Sequence, residues 1–118
     1  MSQLSIQHIQ PKHRMSRAVI HQGVIYFSGI VADSVDDDIH EQTKNILHKI
    51  ESVLEEVGSD RSKLLSVTIY LRNMADFDAM NSIWDAWVIP GQAPARATVQ
   101  AALAQPGYLI EISVVAAV

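Results

Sequence analysis

Two charged residues stand out by where they sit. Arg96 lies inside residues 95–101 and Glu111 inside residues 109–118, two stretches that otherwise read as apolar strands. Charges are rarely buried unless they are paired or put to use. An arginine on a strand face offers a planar fork that matches a carboxylate through two parallel hydrogen bonds. A glutamate on a neighbouring strand can hold or activate a water. The residues alone leave two readings open. One is a structural ion pair, with each other or with a neighbouring subunit. The other is a site that grips a small carboxylate beside a water.

Other chemistry finds little support. His40 and His48 are eight residues apart on a helix, roughly 12 Å along its axis, too far to share a metal. His8, His13 and His21 fall on separate strands and loops with no metal-ligand spacing. Asp36, Asp37 and Asp38 gather three carboxylates but lack a calcium-loop pattern, and they read as a solvated helix cap favoured by the helix dipole. Ser16 and Ser28 have no visible base. No phosphate-binding or dinucleotide-binding glycine motif and no nucleophile elbow occurs. With no cysteine there is no thiolate metal site, disulfide or thiol nucleophile.

The chain of 118 residues is one domain, 1–118, of ordinary globular composition, 48% apolar and 19% charged. Its net charge is −4, and its basic residues are scattered rather than drawn into a stripe. Only the stretch from Lys12 to Arg17 is locally basic, and no aromatic residue is interleaved there for base stacking. Nucleic acid is therefore not expected as a partner. No apolar run approaches the ~20 residues of a membrane span. The first eight residues carry neither a basic nor an apolar signal region, so a cytoplasmic location is expected.

The elements read in the order strand, strand, strand, helix, strand, helix, strand, strand. Leu4, Ile6 and His8 alternate with polar residues as a first edge strand ending at a Pro11 break. Ala18-Val19-Ile20 and Val24-Ile25-Tyr26-Phe27 flank His21-Gln22-Gly23, a hairpin signal. Asp38 caps a helix whose apolar stripe is Ile39, Ile46, Leu47, Ile50, Val53, Leu54 and Val57, and Gly58 stops it. Residues 65–71 alternate as a strand. Asn73 caps a second helix that buries Phe77, Met80, Trp84, Trp87 and Val88, and Pro90-Gly91 ends it. Two strands follow, joined through Pro106-Gly107.

Two helices can cover one face of a six-stranded sheet, not both. Yet residues 24–27 and 114–118 are apolar on both faces, as strands buried on both sides are. The uncovered face is therefore expected to pack against another subunit.

Taken together, Pro94-Ala95-Arg96-Ala97-Thr98-Val99, Leu109-Ile110-Glu111-Ile112, Val24-Ile25-Tyr26-Phe27-Ser28-Gly29, the helix from Thr43 to Gly58 and Asp76-Phe77-Asp78-Ala79-Met80-Asn81 resemble the Rid (YjgF-like, reactive intermediate deaminase) family. The ending Trp84-Asp85-Ala86-Trp87-Val88 and the terminal Val114-Val115-Ala116-Ala117-Val118 look closest to its YoaB-like subgroup. The resemblance implies an α+β, chorismate-mutase-like fold: a six-stranded mixed sheet with two helices packed on one face. It implies a homotrimer with sheets facing inward and clefts between subunits. It implies hydrolysis of enamine or imine intermediates to keto acids and ammonia, with no cofactor and no metal. By position, Arg96 matches the arginine that grips the substrate carboxylate and Glu111 the glutamate that positions water. Ser28 and Asn81 match cleft-lining residues. Two positions depart from the pattern: Met15 stands where the family deaminases carry tyrosine, and Thr98 where the best-known ones carry cysteine. A trimer that only binds small carboxylates, as a metabolite sensor, is the alternative. The ribonuclease label attached to the family fits poorly with the charge and the absence of a histidine pair.

Overall fold

The computed structural model describes residues 5–118. Leu4, where the first predicted alternation begins, lies outside them. Four strands come first: β1 (Gln7–Pro11), β2 (Ser16–His21), β3 (Val24–Phe27) and β4 (Ile30–Val31). Helix α1 (Ile39–Glu56), β5 (Leu64–Leu71), α2 (Phe77–Trp87), β6 (Ala95–Gln100) and β7 (Ile110–Ala117) complete the fold. The sheet runs β1-β2-β3-β7-β5-β6, with β4 pairing to β7 beside β3. Only β5 and β6 pair in parallel, and α2 crosses between them. This is the α+β arrangement expected, with a seventh, two-residue strand that no periodicity could announce.

Several local expectations are corrected. Pro11 does end the first strand, but from inside it. It is the last residue of β1 and sits opposite Ser16, where its missing N–H is tolerated at an edge. His21 belongs to β2 and pairs with Val24, so the hairpin turn is Gln22-Gly23 alone, both with positive φ (52° and 79°). That is the signature of a two-residue type I′ turn. Asn73 caps a 3₁₀ turn, Met74–Asp76, that leads into α2; its side chain accepts from Ala75 N–H.

α1 behaves as its stripe foretells. Asp38 accepts from Glu41 N–H at 2.9 Å, and Ile46, Leu47, Ile50, Val53 and Leu54 are buried. They pack with Met80 and Trp84 of α2 over Val67, Ile69, Leu71, Ile110, Ile112 and Val114 of the sheet. The second face of the sheet is less covered. β7 alternates buried and half-buried residues along its whole length. Tyr26, Leu65 and Val99 are 49%, 47% and 43% exposed. The doubly apolar strands are thus buried on one side only within a single chain.

Three polar clamps fix the connections. Gln42, fully buried in α1, donates through Nε2 to the carbonyls of Asp37 and Gly107 and accepts from Leu109 N–H. Arg72 donates to the carbonyls of Leu103, Gln105 and Tyr108. Both hold the loop that carries the chain from β6 to β7. Lys49 of α1 donates to the Val31 carbonyl (2.7 Å) and to Asp33 Oδ1 (2.9 Å), which secures β4.

The hydrogen bonds from Lys49 and then Asn45 hold the Asp33 carboxyl below its ordinary 3.8. A carboxylate whose folded pKa is depressed stabilises the fold above the unfolded value and loses that contribution as pH falls through the folded value. Asp33→Asn is therefore expected to be slightly less stable than the parent at neutral pH. The gap should close below about pH 4. The Asp33 carboxylate is largely exposed and screened by solvent, so the effect is small. Thermal unfolding of both proteins across the acid range measures it; a gap that stays constant with pH would show that the Asp33 charge is not what Lys49 holds.

Candidate active-site residues

Strand alternation decides which of the sequence-singled residues can meet. Val67, Ile69 and Leu71 of β5 face the helices, and their partners on β6 are Arg96, Thr98 and Gln100. Arg96 and Thr98 therefore lie on the helix side of the sheet, at its β6 edge. Glu111 pairs with Tyr70 and with Val31, the residues one step out of phase. Glu111 thus lies on the opposite, open side. β5 also stands between β6 and β7, so the two charges are not on neighbouring strands. The intrachain version of the structural ion pair is ruled out by this geometry.

The arginine is held by neutral groups. Its Nη1 donates to Asn81 Oδ1 at 2.8 Å, and its Cζ stands 5.2 Å from the centre of the Trp84 ring. The ring face favours the cation without neutralising it. Among the described residues Arg96 has no carboxylate partner, and it is exposed. With Nη1 on Asn81, the Nε and Nη2 edge of the fork has no partner among the described residues and is open to an anion. Two residues on, roughly 7 Å along the strand, Thr98 Oγ1 is buried with no hydrogen-bond partner. An unpaired buried hydroxyl is costly and is an available partner for whatever covers this edge. Arg96, Asn81, Thr98 and Trp84 form one group. Trp84 escaped the sequence reading as a site residue because its spacing marked it as core, which it also is.

The second group sits at the break between β3 and β4. Ser28 donates through both N–H and Oγ to the Arg17 carbonyl, at 3.0 and 3.1 Å, which binds the break to β2. Met15, 43% exposed, lies two residues before Arg17, and its carbonyl accepts from Lys12 N–H. The half-buried Glu111 carboxylate rests against Gly29 and makes no side-chain hydrogen bond or ion pair among the described residues. One group offers a cation and a hydroxyl, the other an unengaged carboxylate. A cleft that used both would have to draw them from two copies of the chain.

No three His, Cys, Asp or Glu side chains gather to hold a metal among the described residues. A cavity of about 330 Å³ lies elsewhere, between α1 and α2, over Leu47, Ile83 and Trp87. None of the candidate site residues described above lines it. Its one carboxylate, Glu51, is already engaged by Trp87 Nε1 at 3.1 Å and Arg61 Nε at 3.6 Å. We give it no part in the chemistry.

Known proteins share the sequence pattern and the fold. The family profile described as Endoribonuclease L-PSP matches residues 5–118. The RutC family protein YoaB of Escherichia coli K12 is 48% identical over 115 residues, covering 98% of this chain and all of that protein. The crystal structure of NMB1025 from Neisseria meningitidis, a member of the YjgF family, superposes with a TM-score of 0.95 at 40% identity, over 98% of this chain and 97% of that one. The Rid family protein YyfA of Yersinia pestis superposes at 0.83 with 30% identity, over 100% and 96%. The family profile over residues 5–118, and identity at this level over nearly the whole length with close superposition, place the chain in the Rid (YjgF, L-PSP) family.

Proposed function

We propose that the chain hydrolyses reactive 2-imino acids and their enamine tautomers to keto acids and ammonia, in clefts formed between the subunits of a homotrimer. The observation that carries this reading is the sidedness of Arg96 and Glu111. Among the described residues neither has an oppositely charged partner, and each lies on a different face of one sheet. A ring of copies that covers the open, half-exposed face brings one copy's arginine group to another's glutamate. Arg96 grips the carboxylate of the substrate through two charge-assisted hydrogen bonds, each contributing roughly 1.5–3 kcal/mol. The C=N carbon is then aimed at a water held by Glu111. As water adds, its proton passes to Glu111 and on to the nitrogen, giving a carbinolamine. Collapse of that intermediate forms the carbonyl and releases ammonia, so one water enters and one ammonia leaves. General acid–base help of this kind contributes roughly 10²–10⁴-fold, enough for imines that already hydrolyse in water. No cofactor is required by the chemistry.

A second reading is binding without turnover. Met15 and Thr98, in place of the family tyrosine and cysteine, favour it, because they change the cleft lining while leaving Arg96 intact. Both readings take a small carboxylate ligand, so turnover separates them. With an amino-acid oxidase generating imino acids, added protein should speed ammonia release, and EDTA should leave the effect unchanged. Failure across a broad panel of imino acids would leave only the binding reading.

A further inference from the structure

Gly29 lies in the break between β3 and β4, against the Glu111 carboxylate. The glycines with positive φ are Gly23, Gly58 and Gly91; Gly29 is not among them. A left-handed backbone therefore does not account for a glycine here. Space does. A Cβ on Gly29 would stand 2.8 Å from Glu111 Cδ and 3.2 Å from Cγ, and closer still to Oε2. The carboxyl group fills the volume that a side chain would occupy. Gly107 is the contrasting case, since its Cβ would meet Val35, including the backbone oxygen at 3.0 Å, in a packing contact with no titratable group. Glu111 has no hydrogen-bonding side chain to fix it among the described residues, so the shape of the Gly29 surface sets where its carboxylate lies.

We propose that Gly29 is a positioning residue for Glu111, required for its missing side chain, which seats the carboxylate against the β3–β4 break. This rests on the reading of Glu111 as the group that orders the attacking water. The atoms in the way of a methyl group are the far end of a flexible side chain, so Gly29→Ala is absorbed by Glu111 rather than by the backbone. The fold survives and the carboxylate swings off its seat.

Kinetics and crystallography of Gly29→Ala test this. We expect kcat to fall by roughly 30- to 100-fold, up to the low end of general acid–base help, because the displaced carboxylate is moved rather than removed. KM should stay within about twofold, because Arg96 grips the substrate independently. In a Glu111→Ala background the same change should cost nothing more, since the positioned group is gone. Losses that multiply in the double variant, or an unchanged kcat, would overturn the proposal. A crystal structure of Gly29→Ala reads the seat without turnover: a displaced Glu111 carboxylate supports the proposal and an unmoved one overturns it. If the parent protein shows no turnover, the catalytic reading fails and this second readout still decides whether Gly29 seats Glu111. Should Gly29→Ala not fold, the double variant with Glu111→Ala must fold, and its failure would equally overturn the idea.

Discussion

Arg96→Lys is expected to leave a folded protein that has lost its grip on small carboxylates. The substitution keeps the charge and most of the stem but removes the planar fork. Arg96 is exposed, touches Asn81 Oδ1 and the Trp84 ring, and has no carboxylate partner among the described residues. No buried charge is therefore stranded by the exchange, and stability should change little. Keto-acid affinity should fall by about 1–3 kcal/mol, the scale of one charge-assisted hydrogen bond. Trp84 provides an intrinsic fluorescence reporter beside the site, so titration needs no label. An Arg96 locked in a buried pair with a neighbouring subunit's glutamate predicts the opposite. Arg96→Ala would then cost ~3–5 kcal/mol and break the assembly. A large loss in thermal stability with unchanged affinity would remove Arg96 from the site.

Gln42→Leu is expected to be the most destabilising single change among the polar residues described above. The side chain has no exposed surface and serves three backbone groups: the Asp37 and Gly107 carbonyls, both at 2.9 Å, and Leu109 N–H at 3.0 Å. Leucine is close in volume, so no cavity confuses the result. Each group left buried without a partner costs about 1–3 kcal/mol. Some will find water at the loop, so we expect a net loss of about 3–5 kcal/mol and a melting temperature lower by roughly 10–20 °C. The damage also bears on Glu111, because Leu109 leads straight into β7. A loss under 1 kcal/mol in chemical denaturation would mean that the loop is held by Arg72 alone.

The legible parts of the fold were those whose signal is local. The α1 stripe and the Asp38 cap form as read; the alternation of β5 holds from Val67 to Leu71, but a register shift between Leu64 and Ser66 buries Leu64 and leaves Leu65 exposed, out of the phase its spacing gave it. β4 is two residues long and exists because β7 offers it partners at Ile112 and Glu111, which no periodicity can announce. For the same reason, alternation within each strand gives the parity of Arg96 and of Glu111 separately. Their opposite sides depend on the pairing register through β5, which is non-local. The glycine at position 29 showed the same gap: a glycine kept for space is indistinguishable from one kept for φ until its neighbour across the sheet is known. Trp84 and Gln42 were hidden in another way. Helical spacing marks the first as core, and a buried glutamine has no pattern at all.

The sidedness of Arg96 and Glu111 has a consequence for inheritance. In the proposed ring of three, each chain lends its arginine to one cleft and its glutamate to the next. A chain with a lesion at either position would disable one cleft of the three, and a chain with both would disable two. Two different inactive alleles, one lacking the arginine and one the glutamate, would meet in every mixed ring at one junction where both residues are intact. Such alleles complement each other, whereas either alone is null. Selection on this gene would then act on what a chain contributes to its neighbours as much as on what it does itself.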